Sequence, residues 1–269
     1  MTSKNENAVA VAAEAQLPAE LMEQMGAMAG VGVSDNPNDV GIPYWAILQD
    51  LSPQVKKRDE RYIEGAEVGM MFNTATMQVI DGAVGIDFIP CFFEGAQVEW
   101  VPRASGGGFV AKHPLNTPLT QQLKTVEVDG KKVSRLPSGN DLVETRYWYG
   151  FSRAHVEDEA QAGPWEPAVV SMSSTMLKSS REWMGMVKRQ KLPNGADAAI
   201  FSRVYTLTTA LRQKNNNDWF VWSVASRRWV TAAELQQAVK FHQDAASGAV
   251  QVQQPDVGGA APAEDEDVV

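Results

Sequence analysis

The chain has 269 residues, 44% of them hydrophobic and 21% charged, with 33 acids against 24 bases and a formal net charge of −9. That length allows one elaborated domain or two small ones, and no apolar run approaches the ~18 residues that a membrane-spanning helix requires. The single cysteine, Cys91, excludes an internal disulfide, and Glu6, Glu14, Glu20 and Glu23 interrupt the Ala-rich start where a secretory signal would be apolar, so a reducing cytoplasm is expected.

The acidity is unevenly placed. Residues 1–40 carry six acids and one base, Lys4, and residues 251–269 carry five acids and no base, which leaves residues 41–250 at a net +1. An acidic total therefore does not exclude an anionic partner for the middle of the chain. Three regions follow: a flexible acidic arm over 1–40, a core over 41–246, and a disordered linker with an acidic tail over 247–269.

Within the arm, Pro18 to Met28 suits a short helix, with Pro in the first turn and Leu21, Met25 and Met28 on one face. Turn formers from Gly32 to Pro43 mark the entry to the core. Lys56, Lys57, Arg58 and Arg61 could contact phosphates, but Asp59, Glu60 and Glu64 dilute them, and a solvated loop is expected. Thr74 to Ile80, Val84 to Phe93 and Gln97 to Val101 are predicted as strands separated by turns at Asp81-Gly82 and at Gly95. The triplet Gly106, Gly107, Gly108 lacks the following Lys-Ser/Thr and helix start of a phosphate cradle, so a mobile loop is predicted. Val126 to Val133 is a hairpin around Asp129-Gly130, a pair that tolerates positive φ in a two-residue turn. In the next strand Val143, Thr145, Tyr147, Tyr149 and Phe151 share one face, expected to be core, leaving Arg146 and Trp148 on the other as candidates for ligand contact.

Residues 171–230 hold ten bases and three acids, a local charge of +7 in an acidic protein. After a predicted strand at Pro167 to Ser171, a helix from about Ser174 to Gln190 places Lys178, Arg181, Lys188 and Arg189 on one side, with Met176, Leu177, Trp183, Met184 and Val187 opposite. Ile200 to Arg212 alternates as a strand, so Phe201, Arg203 and Tyr205 share a face. Its partner, Trp219 to Val224, contributes Trp222. Bases interleaved with flat rings suit a single nucleic-acid strand, the cations neutralising phosphates and the rings stacking on bases. The same pattern arises in a core whose rings face inward while its charges are solvated. Thr231 and Glu234 form a capping box opening a last helix that runs to about Ala246.

Chemistry of other kinds has little material. His113, His155 and His242 are far apart in the sequence, no nucleophile motif is present, and the run Glu157, Asp158, Glu159 suits a solvated surface better than an ion site. No cofactor or metal is expected, and Cys91 is expected in a buried strand. Beyond Ser247 the composition turns to Gly, Ala, Gln, Pro and Val, and the chain ends Glu264, Asp265, Glu266, Asp267, Val268, Val269.

The basic, ring-bearing core, the glycine-containing linker and the acidic tip together resemble the single-stranded DNA-binding proteins that tailed bacteriophages encode for replication and recombination. The stretch from Ile42 to Phe93, with Leu51-Ser52-Pro53 and Tyr62-Ile63-Glu64-Gly65-Ala66, is similar to phage proteins of that kind. The resemblance implies a mainly β, α+β fold: an elaborated OB-like β-barrel with at least two helices. It implies a non-enzymatic, sequence-tolerant protein of the host-cell cytoplasm whose tail, Glu264, Asp265, Glu266 and Asp267, competes with DNA and recruits replication or recombination proteins. Bacterial tails of the class end on Phe, and the Val268-Val269 ending departs from that. A phage virion or scaffolding protein, and a nucleic-acid enzyme or annealing protein, are the rival readings; an oligomer is compatible with all three.

Overall fold

The computed structural model describes residues 41–128, 131–214 and 217–248, Val250, and near the amino terminus Pro18, Leu21, Gln24, Met25 and Met28. The chain divides into two units, Met1–Asp39 and Val40–Val269. In the first, Leu21, Gln24 and Met25 are helical, as the spacing after Pro18 predicts, and the Leu21 amide donates to the Pro18 carbonyl at 3.0 Å. The tail residues Glu264, Asp265, Glu266 and Asp267 and the remainder of both chain ends lie outside the described residues.

Among the described residues the second unit is mainly β. Its strands are β1 (Tyr44–Ile47), β2 (Met71–Asn73), β3 (Val79–Ile80), β4 (Ile86–Trp100), β5 (Phe109–Pro114), β6 (Lys124–Val128), β7 (Lys131–Arg135), β8 (Asp141–Ala154), β9 (Glu166–Ser173), β10 (Arg203–Lys214) and β11 (Asn217–Trp229). Two α-helices follow the sheet's long strands, α1 (Leu177–Lys188) and α2 (Ala232–Ala246). The main sheet runs β11-β10-β4-β8-β9-β1-β2-β3, with β5 on β4 and the β6–β7 hairpin on β8. Its pairs are antiparallel except β1 with β9, where Tyr44 lies opposite Val169.

The sheet curls until its ends meet. The Gln49 side chain donates to the Phe220 carbonyl at 2.8 Å and accepts from the Phe220 amide at 3.0 Å, so one amide side chain stands in for a neighbouring strand at that point of β11. Thr209 of β10 donates from its amide to Gly82 O at 2.8 Å and from its hydroxyl to Gly69 O at 2.7 Å. The result is a half-barrel, in keeping with the OB-like α+β architecture that the resemblance implies.

Both faces of the central pair β4–β8 are apolar because both are covered. On the face where the curl closes, Phe88, Trp148, Val170, Tyr205, Leu207 and Trp222 pack around Trp183 of α1, whose ring stacks on Trp148 at 3.9 Å. On the other, Ile89, Cys91, Tyr147, Tyr149 and Val204 meet Ala238 and Phe241 of α2. Cys91 is buried as expected and occupies a register shift, since Pro90 pairs with Gly150 and Phe92 with Tyr149. Pro90 falls where β4 has left β10 and has yet to gain β5, so its missing N–H costs no ladder bond on that side.

Several predicted elements take a different form. Gly95 is no turn: β4 runs through it as one 15-residue strand, and a Cβ there would stand 3.0 Å from the Arg146 guanidinium, so glycine answers a side-chain crossing. Thr74 to Ile80 is mostly a turn, because Asn73 Oδ1 accepts from the amides of Ala75 and Thr76, leaving only Val79–Ile80 as strand. Gly106, Gly107 and Gly108 all have positive φ at the open tip of the β4–β5 hairpin. The β6–β7 hairpin forms with Val126 opposite Val133, and α2 opens on the Thr231–Glu234 capping box.

Candidate nucleic-acid interface

Helix α1 has the two-sided character its sequence predicts. Ser179, Ser180, Trp183 and Val187 are buried, while Lys178, Arg181, Lys188 and Arg189 are exposed. Its register is set from the core: the Trp148 indole donates to Ser180 Oγ at 3.0 Å, and that bond with the Trp148–Trp183 stack turns the basic side outward. Long cationic side chains on an exposed helix face keep full hydration until an anion arrives.

At its carboxyl end α1 runs into a groove of about 350 Å³ shared with the base of the β10–β11 hairpin. Met186, Arg189, Gln190 and Lys191 form one wall, and Arg203, Ser226 and Trp229 the other. Arg203 and Trp229 are cross-strand partners, and the guanidinium lies 4.2 Å from the indole centroid while donating to Ser226 Oγ at 2.8 Å. A register shift places Tyr205 opposite Ser226 and Val204 opposite Arg228, so Arg227 is the extra residue. That shift keeps Ser226 and Trp229 on the face of Arg203 and sends Arg227 elsewhere. Gln190 spans the floor and donates to the Tyr205 hydroxyl, which burial pushes up to about 12 against the opposing pull of Arg203. Lys191 pairs with Asp197, which leaves Arg189 and Arg203 as the groove's cations without a carboxylate partner among the described residues.

The predicted ring platform is where the structure departs most from sequence reasoning. Trp148, Tyr205 and Trp222 are core residues at 0, 0 and 2% exposure, so no base can stack on them in this fold. The physical reason is the curl: their shared face is the inside, filled by α1. Phe201 has left the strand for a short 3-10 turn and packs on the other face, 5.6 Å from His242. Arg146 is half-buried and tied to Glu144 at 2.5 Å, away from the groove. Of the ten candidates, Arg189 and Arg203 meet in the groove, and Lys178, Arg181 and Lys188 lie on the helix leading to it. Trp229 and Lys191 fall within the basic, ring-bearing stretch without being among the ten candidates, and sequence reasoning missed Gln190 and Ser226. The available signal was Trp229's place at the last residue of β11, between Arg227-Arg228 and the capping box, where a strand reaches the rim of a core.

Two of the stretch's cations serve the fold. Asp87, fully buried, accepts from Arg227, from His155 Nδ1 at 2.8 Å and from Thr206 Oγ1 at 3.1 Å. Glu159 binds Arg153 and, at 2.9 Å, Arg228 Nε; Arg228 also reaches Glu234 at 2.8 Å. Hydrogen bonding from Arg228, helped by Arg153, holds Glu159 down at about 2 against its partial burial. For Glu234 burial pulls upward, but Arg228, the Thr231 amide and the Trp165 indole outweigh it and leave it at about 2. No helix among the described residues is long and apolar enough to cross a membrane.

Fold and groove together define a curled β-sheet protein with an exposed cationic face built on one helix and one hairpin. The model of the Pam3 phage gp34-like protein family matches residues 11–251, and the chain belongs to that family, which makes it a phage-related protein. No curated protein and no solved structure matches it.

Proposed function

We propose that this phage protein binds single-stranded DNA without enzymatic action and with little sequence preference, in the replication or recombination of phage DNA within the host cytoplasm. The observation that carries the reading is the groove of Arg189, Lys191 and Arg203 beside Trp229, which at 38% is the most exposed of the eight tryptophans. Lys178, Arg181 and Lys188 extend the positive surface along α1. Cations neutralise phosphates and release counterions, and an exposed indole gives an unpaired base a surface to stack on. A virion or scaffolding role accounts for the β-rich core but leaves the exposed cations of α1, which have no carboxylate partner among the described residues, without a purpose.

The test is a titration of labelled oligo-dT and of duplex DNA at several salt concentrations. The expected result is tighter binding of the single strand, with affinity falling steeply as salt rises. Equal binding of both forms at low salt, or none, removes the reading.

A further inference from the structure

The edge of β4 has a gap. On one side β8 accompanies the strand along its whole length, from Ile86 to Trp100. On the other, β10 pairs only as far as Phe88 and β5 begins only at Ala96, so residues 89–95 have no strand beside them among the described residues. His242 of α2 answers the Cys91 carbonyl there, its Nδ1 lying 2.8 Å away, much as Gln49 serves Phe220 of β11. Past Cys91 the gap opens into a hollow of about 410 Å³, lined by Phe92, Glu94, Lys112, Tyr149 and the carboxyl end of α2. An open strand edge beside a largely apolar hollow suits one more strand, whose backbone completes the ladder while alternate side chains enter the hollow.

The chain delivers such a strand to this place. Gly248 follows α2 with φ 79°, the left-handed conformation that ends helices and turns the chain back. Val250 then packs on the core between sheet and α2 and itself lines the hollow. From there the sequence reads Val250-Gln251-Val252-Gln253-Gln254-Pro255. Apolar and polar residues alternate with the two-residue period of a strand that buries one face, and the closing proline has no N–H to extend a ladder. Five residues span about 16 Å as a strand, within the roughly 23 Å of β4 that separate its two partners.

We infer that residues 250–254 of the same molecule fill the gap as an added strand, with Val250 and Val252 in the hollow and Gln251 and Gln253 toward solvent. The polar groups at the hollow's rim are already matched, since the Lys112 ammonium and the Tyr149 hydroxyl both donate to Glu94, so covering them strands no charge. The acidic tip then departs from the sheet edge at Gln254, ten residues before Glu264, rather than from the end of α2. This holds whether or not the protein binds DNA.

The experiment is hydrogen exchange, read by mass spectrometry on the full chain and on its Val252→Pro and Val252→Ile variants. In the full chain residues 251–254 are expected to exchange at least about tenfold slower than the same sequence in a free peptide, as a short strand on a sheet edge does. Val252→Pro removes the middle N–H, so 251–254 should return to the peptide rate and exchange at Phe92–Gly95 should quicken. Val252→Ile should keep both stretches protected. Peptide-rate exchange of 251–254 in the full chain overturns the added strand, as does protection that survives Val252→Pro. Protection that falls on dilution places a second copy's segment in the gap and overturns the assignment to the same molecule.

Discussion

Glu159 shows how a residue from an acidic run becomes structural. The triplet Glu157, Asp158, Glu159 reads in sequence as solvated charge, and Glu157 is indeed exposed, yet Glu159 gathers Arg153, Arg227 and Arg228 and so fastens β8 and β11 to each other. Glu159 and Glu234 each fall from the ordinary glutamate value of 4.5 to about 2. A carboxylate with a depressed folded-state pKa stabilises the fold fully above its unfolded value and loses that contribution as pH falls through the folded one. Stability should therefore decline from about pH 4.5 toward pH 2, and Glu159→Gln should flatten the decline while lowering stability at neutral pH. Thermal midpoints between pH 6 and 2.5 measure this, and an unchanged acid slope in the variant would show that Glu159 contributes nothing there. Residue identity alone could not reveal the cluster, because its members come from β4, β8, β11 and α2 and meet only when the sheet curls.

At the scale of elements, legibility followed the strength of local chemistry. The β6–β7 hairpin and the α2 capping box rest on interactions within a few residues, and both form as the sequence predicts. The two-sided α1 is equally local, since its apolar stripe is a matter of 3.6-residue spacing. The face of β8 was not legible: alternation separates Arg146 and Trp148 from Tyr147 and Tyr149, but only a helix on each side of the sheet explains why Trp148, Tyr147 and Tyr149 are all buried. Choosing the stacking rings from the strand pattern consequently selected the core. The exposed half of α1 makes its own prediction. Each cation that neutralises a phosphate of a single strand contributes about 0.7 to the slope of log affinity against log salt. Replacing Lys178, Arg181 and Lys188 together by Gln should lower that slope by about 2 and leave the melting temperature near that of the parent. An unchanged slope would show that the strand does not follow α1.

For the whole molecule the decisive feature is the separation of charge, with acids concentrated at the ends of a chain whose middle is nearly neutral and locally basic. Helix α2 starts three residues after Trp229 and ends at Ala246, a length of about 22 Å for its 15 residues, so the chain leaves α2 roughly that far from the groove. Val250 packs near a second hollow formed by Phe92, Glu94, Lys112 and Tyr149. From Val250 to Glu264 there are 14 residues, which when extended reach about 45 Å, twice the distance back along the helix. Glu264, Asp265, Glu266 and Asp267 can therefore meet Arg189 and Arg203 within the same molecule, and a tethered polyanion acts at an effective concentration that rises toward millimolar when the tether is short. On the proposed function this tail competes with DNA for the groove, and DNA binding frees it for a replication or recombination partner. Deleting residues 255–269 should tighten binding of oligo-dT at low salt, and the gain should shrink as salt rises because the tail's attraction is screened over a Debye length of about 10 Å at 0.1 M. Paired salt titrations of the full-length and shortened chains measure the difference. Binding that is unchanged or weaker at low salt after the deletion would mean that the acidic end does not visit the groove, since removing negative charge from a competitor can only favour a polyanionic ligand.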